Sequence, residues 1–212
     1  GAEILFIQGS IISAEHVQQG GEPLNLKEFV GSLDVPVIAG GVYDYSTATH
    51  LMRAGVAGVI VGSGHSNTVV QVPMATAIAD VAAARRDYLD ETGGRYVHVL
   101  ADTALREPGG IALAIACGAD AVMLGWNLAQ ASEAAASGVY WEAQAAHPRF
   151  PRGDVSKDPG AGAGVSLETV LFGPSSDPYG SSNIVGGLKR IMAKCGYTDV
   201  KAFQKADLAI RN

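Results

Sequence analysis

The residues that could perform chemistry are concentrated in one loop, Gly62-Ser63-Gly64-His65-Ser66-Asn67-Thr68, which follows the apolar run Gly58–Val61. Ser66 and Thr68 carry hydroxyl groups, which act as nucleophiles only when a general base lies beside them. His65 is the one base nearby in the chain. Two interpretations follow: a hydroxyl nucleophile activated by His65, or a loop without catalytic chemistry. We prefer the second.

Glycines follow two consecutive apolar runs, and both runs are typical of parallel strands buried on both faces. The first run, Val35–Ala39, ends at a glycine pair, and the second ends in the loop above. Ligands bind at the carboxyl ends of strands in parallel α/β folds. A tight turn from strand to helix would also explain the glycine pair. The residues predicted to contact a substrate on this basis are Gly40, Gly41, Gly62 and Gly64.

Composition and charge reduce the number of function classes that the chain could belong to. The chain has 212 residues, a net charge of −6 and 48% hydrophobic residues, which suits one α/β domain. No Lys/Arg cluster and no membrane-length apolar run occur, so we expect no nucleic-acid and no membrane partner. The two cysteines, Cys117 and Cys195, show no disulfide or metal spacing, which suggests the cytoplasm. The scattered histidines predict no transition-metal site; they include His16, His50 and His98.

Strand and helix patterns alternate along the chain. Five strands are predicted: Glu3–Ile7, Val35–Ala39, Gly58–Val61, Tyr96–Ala101 and Ala121–Leu124. Helices are predicted at 24–33, started by Asn25 or by the Pro23 turn, and at 44–55, with Asp44 or Ser46 as cap. Further helices are predicted at 73–90, 109–117, 166–172, 184–194 and 200–206, and a helix or loop-helix at 129–146. A Pro- and Gly-rich mobile loop is predicted at about 148–164 and a helical tail at about 184–212.

Alternating strands and helices imply a parallel sheet. A closed eight-stranded barrel usually needs about 250 residues. Five strands therefore leave two alternatives, an open sheet or a barrel from which three strands are absent. Cys117 ends one of the helices and is predicted to be a buried structural thiol.

Long stretches of this sequence resemble the IMP dehydrogenase/GMP reductase family, and most closely its actinobacterial IMP dehydrogenase-related paralogues. The stretches that carry the resemblance are Ser13–Val17, Gly21–Lys27, Val72–Asp80, Asp87–Val99 and Ala114–Val122, together with the strand ends such as Phe6-Ile7-Gln8-Gly9. The resemblance implies a TIM barrel of which this chain supplies the C-terminal five βα units. The N-terminal strands would be missing, split onto another chain or removed.

The resemblance also implies chemistry that these residues only partly support. The family uses a Cys nucleophile after the sixth barrel strand, passes a hydride to NAD and then hydrolyses the intermediate. The corresponding loop here has no Cys. Arg152 lies where the family's mobile flap has an Arg that helps to activate water, and a solvated loop Arg is the alternative. The resemblance implies NAD, and a monovalent cation, as cofactors.

The family's nucleotide site provides a second comparison. Asp102 matches the carboxylate that holds the ribose hydroxyls, although a residue of this kind is more often a helix cap. The phosphate-binding glycines after the same strand are replaced. After the next strand comes Gly125, which the resemblance implies is also a substrate-binding residue, but it is followed by Trp126 instead of a small residue. The indole either fills the phosphate position or points away from it.

Two functions therefore remain. The first is an NAD-dependent IMP dehydrogenase of purine nucleotide metabolism, with activity weakened or lost because the Cys and the glycines are absent. The second is a catalytically inactive paralogue that acts as a binding or assembly subunit. A purine nucleotide is the expected small-molecule partner. We expect a homo-oligomer, or a partner chain that supplies the missing strands.

Overall fold

The computed structural model describes most of the chain, in eight ranges: 1–9, 24–63, 72–102, 105–135, 138–141, 155–157, 165–175 and 182–209. The chain divides into two compact units. The first comprises Gly1–Thr103 and Cys117–Val122, and the second comprises Ala104–Ala116 and Met123–Asn212.

The first unit is built on a five-stranded parallel sheet, as the sequence predicted. The strands occur in chain order across the sheet, so each one pairs with the strand that precedes it. They are β1 (Leu5–Gln8), β2 (Val37–Val42), β3 (Gly58–Val61), β4 (His98–Ala101) and β5 (Ala121–Val122). This arrangement is consistent with part of a TIM barrel.

Burial increases from the edge of the sheet to its centre. All four residues of β3 are buried, and five of the six residues of β2 are buried, whereas no residue of the edge strand β1 is fully buried. Continuous runs of Val and Ile suit strands that are covered on both faces. The core of this unit therefore lies along the two central strands.

The described part of the first unit also contains the helices α1 (Leu26–Gly31), α2 (Tyr45–Arg53) and α3 (Met74–Glu91). The side chain of Asn25 caps α1, and that of Asp44 caps α2 by accepting a hydrogen bond from the Thr47 amide at 2.9 Å. These caps satisfy amide groups that have no partner inside the helix. Both caps were among the sequence predictions.

The glycine pair Gly40-Gly41 does not end its strand. The strand continues to Val42, with a register shift against β3 between Gly40 and Val42. A Cβ atom at Gly40 would overlap the Ile60 carbonyl oxygen. The prediction of a tight turn was therefore wrong, because the glycines allow two strands to approach closely instead.

A largely buried ion pair fixes α3 to the sheet. The Nη1 atom of Arg85 lies 2.6 Å from Oδ2 of Asp120, which also accepts a hydrogen bond from the Val99 amide at 2.9 Å. Tyr96 donates its hydroxyl to Oδ1 of the same carboxylate at 2.5 Å. The carboxylate is thus paired and hydrogen-bonded, which is the condition for burying a charge.

The second unit contains helices and a short antiparallel pair of strands. In its described residues the elements are α4 (Pro108–Ala116), α5 (Trp126–Ala129), β6 (Val139–Trp141), β7 (Val155–Lys157), α6 (Leu167–Phe172), α7 (Ile184–Lys194) and α8 (Val200–Phe203). Strand β6 pairs with β7. Helices α4 and α7 pack so closely that a Cβ atom at Gly187 would lie 2.5 Å from Pro108 Cγ.

The prediction of a helix or loop-helix over 129–146 was wrong at its centre. Helix α5 ends at Ala129, and β6 occupies Val139–Trp141. A β-branched residue and two aromatic residues follow Gly138, whose φ is +88°, and this pattern favours a strand. Strand β7 lies inside the loop predicted at 148–164, and the rest of that loop lies outside the described residues.

Among the described residues, no helix combines the length and the apolar character needed to cross a membrane.

Candidate ligand site at the carboxyl ends of the strands

The carboxyl ends of the parallel strands of the first unit carry its polar residues. Gln8 ends β1, Tyr43 follows β2, Ser63 follows β3 and Asp102 follows β4. In parallel sheets, the carboxyl ends of all strands lie along the same side of the sheet, and ligands bind there. This side, called the polar edge below, is therefore the candidate site.

Asp102 and Gln8 form the central contact of this site. Gln8 donates a hydrogen bond from Nε2 to Oδ2 of Asp102 at 2.7 Å, which joins the ends of β1 and β4. Only 8% of Asp102 is exposed. Burial raises the pKa of Asp102 from 3.8 to about 6, although the hydrogen bond from Gln8 acts in the opposite direction. This carboxyl group can therefore accept hydrogen bonds from ligand hydroxyls and can exchange a proton near neutral pH.

The alternative assignment of Asp102 as a helix cap was wrong. Helix α4 begins only at Pro108, and the described partner of the Asp102 carboxylate is the Gln8 side chain. Sequence reasoning did not single out Gln8 as a site residue. A usable signal was present, because Gln8 is a polar residue at the carboxyl end of an otherwise apolar strand.

Three of the predicted glycines lie at the same edge and allow close approach of the backbone. A Cβ atom at Gly41 would overlap the Gly62 carbonyl oxygen, and one at Gly62 would overlap the Asp102 carbonyl oxygen. Gly62 also has a φ of +92°, which L-residues with side chains rarely adopt. Gly9 donates to the Gly40 carbonyl oxygen at 2.7 Å. These glycines bring the strand ends together, and their contact with a ligand stays a prediction.

Two hydroxyl groups add to the polar edge. The hydroxyl oxygens of Tyr43 and Ser63 lie 2.9 Å apart, and either can donate. Hydroxyls that both donate and accept suit the recognition of polar, uncharged ligand groups. Tyr43 was not among the predicted site residues, because in the sequence it lies between a strand and a helix with no motif around it.

Several predicted site residues cannot be placed. Gly64, Ser66, Thr68 and Arg152 lie outside the described residues, so the nucleophile and flap hypotheses stay predictions. Cys117 is buried, as predicted, and burial raises the pKa of its thiol, which disfavours the reactive thiolate.

Gly125 lies in the second unit and contacts an aromatic cluster. A Cβ atom there would overlap the Tyr140 ring, so glycine is needed for this packing. The Tyr140 ring meets Trp126 edge to face, with 6.1 Å between the ring centroids. The Arg106 guanidinium lies over the indole, 4.4 Å from its centroid. Trp126 is therefore held between two neighbours of its own unit.

The cofactors implied by the resemblance find limited support in the described residues. Asp102 and Gln8 could hold ribose hydroxyls, but the predicted elements show no Gly-x-Gly-x-x-Gly turn between a strand and a helix that would cradle a dinucleotide pyrophosphate. The described residues therefore give no direct support for an NAD site. Within the described ranges, no group of three or more metal-ligating side chains occurs either.

Fold and candidate site together define a class: a parallel α/β fold consistent with part of a TIM barrel, with polar residues at the carboxyl ends of its strands. Comparison with known proteins then identifies the family. The family model for the IMP dehydrogenase / GMP reductase domain matches residues 11–211. The chain belongs to the IMP dehydrogenase/GMP reductase family.

Individual relatives agree with this assignment. An uncharacterized oxidoreductase of Mycolicibacterium smegmatis is 60% identical over 99% of this chain and 58% of its own length. An inosine-5'-monophosphate dehydrogenase of Korarchaeum cryptofilum is 38% identical over 52% of this chain and 24% of its own length. The crystal structure of an IMP dehydrogenase/GMP reductase-like protein from Corynebacterium glutamicum is 60% identical, with a TM-score of 0.88, and matches 100% of this chain and 56% of that one. The chain thus spans little more than half the length of these actinobacterial relatives.

Proposed function

We propose that this protein is a purine-nucleotide-binding member of the IMP dehydrogenase/GMP reductase family that oxidises IMP weakly or not at all. Family membership and the oxidoreductase names of its relatives support the general class. The observation that carries the proposal is the Gln8–Asp102 pair at the carboxyl ends of β1 and β4.

The chemistry of this pair suits a ribose. A carboxylate accepts hydrogen bonds from two neighbouring hydroxyls, and a cis-diol presents two such donors. Gln8 occupies one oxygen of Asp102, which leaves the acceptor capacity of the other oxygen for a ligand. The hydroxyls of Tyr43 and Ser63 extend the same polar edge and could contact the purine or the sugar.

Weak or absent turnover follows from the loop after β3. The loop contains Ser66 and Thr68 but no cysteine, and a hydroxyl group is a poor nucleophile at neutral pH without an adjacent base. Use of NAD is proposed from family membership alone. The proposal separates binding from turnover, so the two can be measured independently.

Calorimetric titration with IMP, with and without NAD, tests this function on the purified, complete assembly. We expect saturable IMP binding, weakened about tenfold or more by Asp102→Asn because a hydrogen bond to a charged group is lost. Asp34→Asn, which changes an exposed carboxylate at a bend, is the matched control and should bind like the wild type. Absence of binding at millimolar IMP would refute the nucleotide-binding proposal.

The second candidate function is an assembly subunit. Strand β1 forms one edge of the sheet, and Ile4 and Phe6 at this edge are each 49% exposed. An exposed strand edge with apolar side chains favours pairing with another chain. Intact mass and a denaturing gel test this role, because a second polypeptide of similar size would indicate a partner that supplies further strands. A single species that remains monomeric in size-exclusion chromatography would refute it.

A further inference from the structure

The second unit contains Arg106, whose position is fixed by contacts at its side chain and at its backbone. Its guanidinium group lies over the Trp126 indole at 4.4 Å from the centroid. Its backbone carbonyl accepts a hydrogen bond from Nδ2 of Asn127 at 2.8 Å, and Asn127 is only 1% exposed. The indole in turn packs against the Tyr140 ring. Arg106 is therefore preorganised at both its backbone and its charged end.

The stack leaves the hydrogen-bonding edge of the guanidinium free. Stacking uses the flat face of the group, whereas its five N–H donors lie in the plane and point outward. Arg53 and Arg85 pair with Glu91 and Asp120, but within the described ranges no carboxylate pairs with Arg106. Arg106 is itself exposed.

We propose that Arg106, held on the Trp126 indole, binds an oxyanion of the phosphate or carboxylate class. The planar fork of donors matches two oxygens of such a group, and charge-assisted pairs of this kind are the strong ones. Stacking reduces the rotamer freedom that an exposed arginine loses on binding, so more of the interaction appears as affinity. The site uses a cationic side chain, unlike the glycine backbone turns expected from the family resemblance.

The proposal does not depend on the Asp102 site. It is carried by residues of the second unit alone, whereas Asp102 and Gln8 belong to the first. If both proposals hold, Asp102→Asn weakens binding of IMP but leaves binding of inorganic phosphate unchanged. Failure of one proposal can thus be distinguished from failure of the other.

Tryptophan fluorescence of the full chain provides the test. The chain has two tryptophans, and Trp141→Phe removes the exposed one, so that the remaining tryptophan fluorescence comes from Trp126. Fluorescence is recorded during a titration with sodium phosphate, and a titration with sodium chloride of equal ionic strength is the control. We expect a saturable change of fluorescence, an apparent Kd raised about tenfold or more by Arg106→Gln, and less than about a twofold change for Arg190→Gln, an exposed arginine of α7.

Two further arms complete the test. Arg106→Lys keeps the charge but loses the planar fork, so it should bind more weakly than the wild type even if Arg106→Gln fails to fold. Titration with sodium acetate shows whether phosphate or carboxylate is preferred. The proposal is overturned if no saturable change occurs, if Arg106→Gln binds like Arg190→Gln, or if lysine at this position binds as well as arginine.

Discussion

Replacing Asp102 by asparagine should stabilise the protein at neutral pH. Asp102 is 8% exposed, and the one described partner of its side chain is the Gln8 amide. An asparagine has nearly the shape of a protonated aspartic acid and can still accept the Gln8 hydrogen bond through Oδ1. The substitution therefore removes the buried charge while it conserves the local packing.

The magnitude follows from the pKa of Asp102, which rises from 3.8 to about 6 on folding. One pKa unit is worth about 1.4 kcal/mol, so ionising this group in the folded protein costs roughly 3 kcal/mol. The folded state binds more protons than the unfolded state between these two pKa values. The Asp102 contribution to the free energy of unfolding therefore falls as pH rises from about 4 to about 6, and its full cost is present above pH 6.

Urea denaturation at a series of pH values measures this effect. Near pH 4 the variant and the wild type should differ little, because Asp102 is largely protonated in the folded wild type. At pH 7.5 the variant should be more stable by up to roughly 3 kcal/mol. The same measurement on Asp34→Asn, an exposed carboxylate, should show little difference at either pH.

Two results would refute the reasoning. A stability difference that does not change with pH would show that the carboxyl titrates alike in both states. A variant less stable than the wild type at pH 7.5 would show that the charge of Asp102 is compensated in the folded protein. Either result would also weaken the case for Asp102 as a group that exchanges protons near neutral pH.

The remaining predictions concern the buried ion pair and the strand ends. Arg85→Met leaves the largely buried Asp120 without its cation, so it should lower the free energy of unfolding by about 3–5 kcal/mol. In the same denaturation experiment, Arg86→Met, at the exposed neighbouring position, should change that free energy by less than about 0.5 kcal/mol. Gly62→Ala should lower the free energy of unfolding by more than about 2 kcal/mol, because it adds a backbone overlap to an unfavourable φ. Gly93 has a φ of +67° but open space around it, so Gly93→Ala should lower the same free energy by only about 1 kcal/mol. Equal losses for the two variants would refute the overlap argument.

Most of the first unit could be predicted from the sequence because its strands are short, apolar and bounded by glycine or polar residues. The run Gly58–Val61 has the same limits in the sequence and in the structure. Caps at Asn25 and Asp44 were also predictable, since a side-chain acceptor before a helix has a local physical role. These features depend on neighbouring residues in the chain.

The predictions that failed depend on contacts between distant residues. Gly40 and Gly41 were predicted to end a strand, but the approach of β3 keeps them inside it. Strand β6 forms by pairing with β7, which lies beyond it in the chain and was predicted to belong to a loop. Gln8 gains its role from Asp102, which is 94 residues away. No local pattern reports such partners.

Asp120 and Asp102, two carboxylates of the first unit with little exposure to solvent, illustrate a structural role and a functional one. Asp120 precedes β5 and is satisfied by Arg85, Tyr96 and a backbone amide, as expected of a group that holds the fold together. Asp102 follows β4, at the opposite end of the sheet, and has one neutral described partner. Its ionisation costs stability that an asparagine would save, and residues with such a cost are concentrated at functional sites. The carboxyl end of the sheet is also where barrels of this kind bind their ligands, so position and energetics independently favour Asp102 as the ligand-binding group.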